Sequence, residues 1–175
     1  MNPRGGYTGR FIEIDLSGRV CEIKETPERD SLTGRFLGGR GISSKILFDE
    51  VDEDTGALDP GNVLVFSTGP LTGTLVPSSS RAVFAAKSPL TGIFGDANIG
   101  GNFGPQFKFA GYDYLILRGK ADRPVYLLID DDSISLRNAE ELWGKETWQT
   151  QSALREELDD SSIAVACIGQ AGENR

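Results

Sequence analysis

The 175-residue chain contains no histidine. That absence removes Ser-His-Asp and Cys-His triads and every metal site built on imidazole. There are only two cysteines, Cys21 and Cys167. Two thiols cannot hold an iron–sulfur cluster or a zinc ion that needs a full thiolate set. Each lies in an apolar alternating run, where a small buried core residue is expected. Long hydrophobic runs are also missing. No stretch approaches the ~20 apolar residues that span a bilayer, and residues 63–66 read as a short buried strand. Residues 1–6 hold no signal-peptide core, so a cytoplasmic location is the default expectation. A net charge of −8 disfavours nucleic acid and anionic membrane as partners.

What the chain has in excess is glycine, 22 residues, nearly twice the ~7% average. Ten of these fall between residues 61 and 120, a window with a net charge of +3 in a chain otherwise at −11. Hydrophobic residues at 38% and charged residues at 25% are ordinary for one globular domain with a sizeable core.

Periodicity gives an α+β order. Residues 9–25 alternate around Ser17-Gly18 and predict a hairpin. Residues 31–50 predict a helix interrupted at Gly38, Gly39 and Gly41, where the glycines mark a break or the close approach of another backbone or a ligand. Residues 63–66 predict a strand. Residues 69–111 read mostly as loop, with short strands at 82–86 and 92–94. A strand follows at 112–117, then a second hairpin at 125–136 turning at residues 131–133. A helix is predicted at 147–158 and a last strand at 163–168. Hairpin, helix, strand and glycine-rich turn thus occur twice, which predicts an internal duplication. The second glycine-rich segment is then expected to be missing, so the chain reads as a fragment or one piece of a split protein.

The residues that could carry chemistry lie in Gly69-Pro-Leu-Thr-Gly-Thr74, Pro77-Ser-Ser-Ser-Arg81, Lys87-Ser-Pro-Leu-Thr-Gly92, Gly95-Asp-Ala-Asn-Ile-Gly-Gly-Asn-Phe-Gly104 and Lys108-Phe-Ala-Gly-Tyr-Asp113. Glycines, hydroxyls and amides let backbone N–H groups meet an anionic ligand. Arg81, Lys87 and Lys108 are expected to supply countercharge, with Arg81 the best anchor because a guanidinium can bind phosphate through two hydrogen bonds. Neither standard phosphate loop fits. Gly95 and Gly100 have P-loop spacing, but Gly101 stands where lysine is needed. Gly39-Arg-Gly41 has Ser44 in place of the third Rossmann glycine and no preceding strand. The acidic runs at 130–132 and 159–160 read as turn and helix-end carboxylates, and Trp143 and Trp148 as core or staple residues. Asn98 and Asn102 suit left-handed turn geometry.

These blocks resemble the N-terminal domain of the tungsten- and molybdenum-dependent aldehyde ferredoxin oxidoreductases. The likeness runs nearly end to end and adds Gly6-Tyr-Thr-Gly-Arg-Phe-Ile12, Phe36-Leu-Gly-Gly-Arg-Gly41, Leu142-Trp-Gly-Lys145 and Ile168-Gly-Gln-Ala-Gly-Glu-Asn174. It implies that residues 1–175 form a pterin-binding domain, incomplete at the C-terminus, with duplicated units making a saddle-like base for a bis-pterin cofactor. That cofactor is a bis-pyranopterin tungsten (or molybdenum) group whose phosphates are bridged by magnesium.

The resemblance places Arg81 between pterin and iron–sulfur cluster, and makes Asn98 a magnesium ligand and cofactor contact. Gly100 and Gly101 follow as cofactor-binding backbone. Ser80 departs from the usual glycine before the arginine and adds a side chain beside the cofactor. The implied whole enzyme oxidises aldehydes to carboxylic acids and passes electrons through a [4Fe–4S] cluster to ferredoxin. The cluster's ligands lie outside this chain, no catalytic residue is assigned within it, and a homo-oligomer is compatible. The alternatives are a non-catalytic scaffold that needs a partner chain and a subgroup acting on another substrate class.

Overall fold

The computed structural model describes residues 5–26 and 32–174. Strands β1 (Arg10–Asp15) and β2 (Val20–Glu25) form the first hairpin. A short helix, α1 (Thr33–Phe36), breaks at Leu37 before α2 (Arg40–Glu50). Strands β3 (Leu64–Thr68), β4 (Ala82–Lys87) and β5 (Phe94–Ile99) follow, then α3 (Phe103–Phe109) and β6 (Tyr114–Arg118). Six strands make one sheet in the order β2-β1-β6-β3-β4-β5. Only β1 and β6 run parallel; the other neighbours are antiparallel.

Strand alternation divides the core between the two faces of this sheet. Val65, Val83, Ala85, Tyr114 and Ile116 meet Ile42, Ile46 and Leu47 of α2. Ile12, Ile14, Phe66 and Leu115 point the other way, toward Phe107 of α3. Strands β7 (Val125–Asp130) and β8 (Ser133–Asn138) form a separate two-stranded sheet, whose Leu127, Ile129, Ile134 and Leu136 cover that second face. Helix α4 (Thr147–Glu157) begins with a capping box between Glu146 and Gln149, and a short α5 (Gly169–Glu173) ends the described chain.

The glycine break before α2 is explained by close packing of backbone. A Cβ on Gly38 would lie 2.6 Å from the Thr68 carbonyl oxygen, at the end of β3. The Gly39 N–H donates to that same carbonyl at 2.9 Å. The part of the predicted helix at Ser31 lies outside the described residues.

Several expectations are corrected. The strand expected at 92–94 begins at Phe94 and continues to Ile99, because the whole segment pairs with β4 from Lys87 to Ala82. Residues 103–109 are helix rather than loop. The strand expected at 163–168 is absent: these residues join no ladder, since no strand stands beside them among the described residues. The second half therefore repeats the hairpin and helix of the first but not its third element. Trp143 and Trp148 are exposed rather than core, and Trp148 donates its indole N–H to Glu146. Cys167 is exposed, while Cys21 is half-buried against the second core face. Neither Asn98 nor Asn102 has positive φ, whereas Asp131 and Asp159 do, as turn and helix-end residues.

Candidate functional site

Residues distant in sequence meet at one end of the β4–β5 ribbon. Ala82 pairs with Ile99 and Val83 with Asn98. Arg81 directly precedes Ala82 and Gly100 directly follows Ile99, and Ser80 Oγ lies 4.0 Å from where a Cβ on Gly100 would be. All four expected site residues, Arg81, Asn98, Gly100 and Gly101, therefore share this end, on an open surface.

The loop leading into β4 is held from within. Thr72 Oγ1 donates to the Arg81 carbonyl at 2.9 Å and accepts the Gly69 N–H at 3.0 Å. The Gly73 N–H donates to the Ser79 carbonyl at 3.0 Å. On the other side, α3 presses against the loop: a Cβ on Gly104 would sit 3.0 Å from the Ser80 carbonyl oxygen and 3.1 Å from Ala82 Cβ. The backbone at Arg81 is thus fixed while its side chain projects outward.

The three expected cations have different fates. Lys108 is not available to a ligand: its ammonium is buried against Asp113, with Nζ 2.5 Å from Oδ1. Lys87 Nζ donates to the Glu53 carbonyl at 2.6 Å. Among the described residues the exposed Arg81 guanidinium has no ion pair and donates no hydrogen bond. Of the window's five cations, Lys108 and Arg118 are ion-paired, and at this end Arg81 is the cation without a partner among the described residues.

Asn98 is oriented by residues the sequence did not single out. Its Nδ2 donates to Asp96 Oδ2 at 3.1 Å. A carboxylate only accepts, so this contact fixes the amide and leaves Oδ1 free as an acceptor. Asp96 is held in turn by Arg40 at the start of α2, through Nε at 3.1 Å and Nη2 at 2.8 Å. Asp96 is one of only two acids in the basic window, the one signal that could have marked it.

Gly100 has no reason within the fold to be glycine. Its φ lies outside the left-handed range, and a Cβ there would meet only Ser80 Oγ, at an ordinary 4.0 Å. Gly101 has φ +76° and open space where its Cβ would be. The pair presents bare backbone to whatever lies against this end. The site therefore combines a free guanidinium, a free amide oxygen and an uncovered backbone stretch. These are the groups that receive an anion with its countercation. Among the described residues no cluster of three or more Cys, Asp or Glu could by itself hold a metal. No helix among them is long and apolar enough to cross a membrane.

Residues 11–175 match the family model described as "Aldehyde ferredoxin oxidoreductase, N-terminal domain". The chain is 43% identical over 170 residues to a tungsten-containing aldehyde ferredoxin oxidoreductase of Pyrococcus abyssi, covering 97% of this chain and 28% of that protein. It is 31% identical over 184 residues to an aliphatic sulfonate oxidoreductase, WOR-like subunit, of Pyrococcus furiosus, covering 97% and 29%. Among solved structures it resembles a chain of the active site complex BamBC of benzoyl coenzyme A reductase in complex with 1,5-dienoyl-CoA. That match has a TM-score of 0.94 and 37% identity, covering 97% of this chain and 26% of the other. The chain thus spans little more than a quarter of the length of these relatives.

Proposed function

The chain belongs to the aldehyde ferredoxin oxidoreductase family, as a form of its N-terminal domain, and on that footing we propose that it is the cofactor-holding base of a longer tungsten oxidoreductase. The observation that carries this reading is Gly100. It is a glycine with no internal need for one, beside an unpaired Arg81 and the free Oδ1 of Asn98. These residues suit a phosphorylated pterin. Arg81 would hold phosphate or pterin oxygen, the Gly100–Gly101 backbone would lie against the ligand, and an oxygen of Asn98 would serve a magnesium ion accompanying the phosphate. When bound, the tungsten–pterin group would supply the two-electron oxidation of an aldehyde to a carboxylic acid, with ferredoxin receiving electrons through a [4Fe–4S] cluster held elsewhere in the enzyme.

This chain's part is positional and electrostatic. Thr72 and the packing of Gly104 fix the backbone from which Arg81 projects. Arg40 and Asp96 orient Asn98 so that its oxygen faces away from the protein's own carboxylate. A fixed backbone leaves only the Arg81 side chain to be ordered when an anion binds.

A second reading, the same cofactor serving another substrate class, is favoured by the fold's close match to a benzoyl coenzyme A reductase complex. The test is metal and pterin content of the intact protein, purified anaerobically with tungstate supplied. Wild type is expected to carry tungsten and pterin, and Arg81→Gln to lose most of both. A metal-free wild type would contradict the cofactor reading. Turnover of benzoyl-CoA but of no aldehyde by loaded protein would select the second.

A further inference from the structure

A second polar opening, of about 310 Å³, adjoins Gly100. Its walls come from both halves of the chain: Gly100 and Asn102 after β5, Gln151 and Arg155 of α4, then Ser162 and residues 163–165. Arg155 is the one charged residue in this wall, and no carboxylate lines it. The guanidinium is unusually placed. Its Nε is sealed from solvent and has no hydrogen-bond partner. Its Nη2 reaches the Ile163 carbonyl only at 3.4 Å, the outer limit of a hydrogen bond.

The nearby acid does not serve it. Asp160 Oδ1 accepts from the Ser162 N–H at 2.7 Å and from Ser162 Oγ at 2.6 Å. These two bonds, more than Arg155, pull the Asp160 carboxyl below its usual range. Among the described residues, Arg155 and Asp160 form no ion pair. The side-chain amides of Gln151 and Asn102 also have no protein partner among the described residues.

The charge of Arg155 meets no carboxylate in this wall, and a charged acceptor on its remaining guanidinium nitrogens compensates it best. We propose that this opening is a binding site for a phosphate-type oxyanion, anchored by Arg155 and completed by the amides of Gln151 and Asn102. It borders the Arg81–Asn98 end at Gly100 and takes an ion from solution on its Arg155 side rather than the cofactor. A neutral carbonyl would leave the charge uncompensated.

The test is calorimetric titration of inorganic phosphate into the intact, cofactor-loaded protein, prepared without phosphate or sulfate. Saturable binding is expected at one ion per chain. Affinity is expected to fall about tenfold or more in Arg155→Gln, the scale of one charge-assisted contact. A smaller fall is expected in Gln151→Leu, a variant that carries the test if Arg155→Gln does not fold. No phosphate uptake by wild type would overturn the proposal. So would equal affinity in every folded variant, or binding that occurs only before the cofactor is loaded. An intact structure with an acidic side chain from another segment seated on Arg155 would overturn it as well.

Discussion

Lys108 and Asp113 form an ion pair sealed inside the protein, with Nζ 2.5 Å from Oδ1 and side chains only 7% and 2% exposed. Asp113 also accepts the backbone N–H groups of Thr8 at 3.0 Å and Gly9 at 2.8 Å. Lys108 donates to the Gly6 carbonyl at 2.7 Å. The pair therefore ties the segment before β1 to the end of α3, and through α3 to the loop behind Arg81.

Removing the cation alone should be worse than neutralising both partners. Lys108→Met leaves a buried carboxylate without its cation, and a loss of about 3–5 kcal/mol is expected from denaturant unfolding. Lys108→Met combined with Asp113→Asn, which removes the charge and keeps an acceptor oxygen for the Thr8–Gly9 backbone, should recover part of that loss. A single variant as stable as wild type would show that the pair does not hold the loop.

Two glycines only four residues apart should answer differently to the same change. Gly104→Ala pushes a methyl group against the Ser80 carbonyl and Ala82, and a cost of about 1–3 kcal/mol is expected. Gly100→Ala meets nothing closer than 4.0 Å, so the unfolding free energy of cofactor-free protein should change by no more than about 0.5 kcal/mol. Cofactor content should nevertheless fall in Gly100→Ala. Full cofactor retention there would remove the argument that this glycine exists for a ligand.

The contrast also shows what the sequence could convey. Hairpins β1–β2 and β7–β8, helix α4 and the glycine break before α2 were legible because apolar spacing and turn residues agreed. Strand β5 was obscured because Gly95, Asp96 and Asn98 are poor strand formers, and pairing with β4 overrides that preference. Helix α3 was hidden by Gly104 and Pro105, although Pro105 sits in the first turn, where a missing N–H costs nothing. Its legible signal was Phe103 and Phe107, four residues apart, which both pack edge-on against Phe66. At the site, Arg81, Asn98, Gly100 and Gly101 could be picked from residue type and resemblance. The loss of Lys108 to Asp113 could not, because an ion pair is a property of folded distance. The Arg40–Asp96–Asn98 chain was invisible for the same reason.

Tyr114 should titrate late. It is stacked on Phe11, with ring centroids 4.6 Å apart. Burial, above all, pushes its hydroxyl from 10.0 up to about 12. A raised value in the folded state means that the stabilisation is complete below pH 10 and is lost as pH rises toward 12. Its size is roughly 3 kcal/mol. Absorbance titration should show one tyrosinate appearing only near pH 12 or on unfolding, and Tyr114→Phe should remove it. Ionisation of Tyr114 near pH 10 in folded protein would contradict the packing described for β6.

The most direct test of the cofactor role is the structure of the intact protein loaded with its cofactor. The account predicts phosphate oxygens within hydrogen-bonding reach of Arg81, a cation on an oxygen of Asn98, and cofactor against the backbone of Gly100 and Gly101. A bound cofactor elsewhere, with Arg81 in open water and Asn98 touching only Asp96, would contradict it.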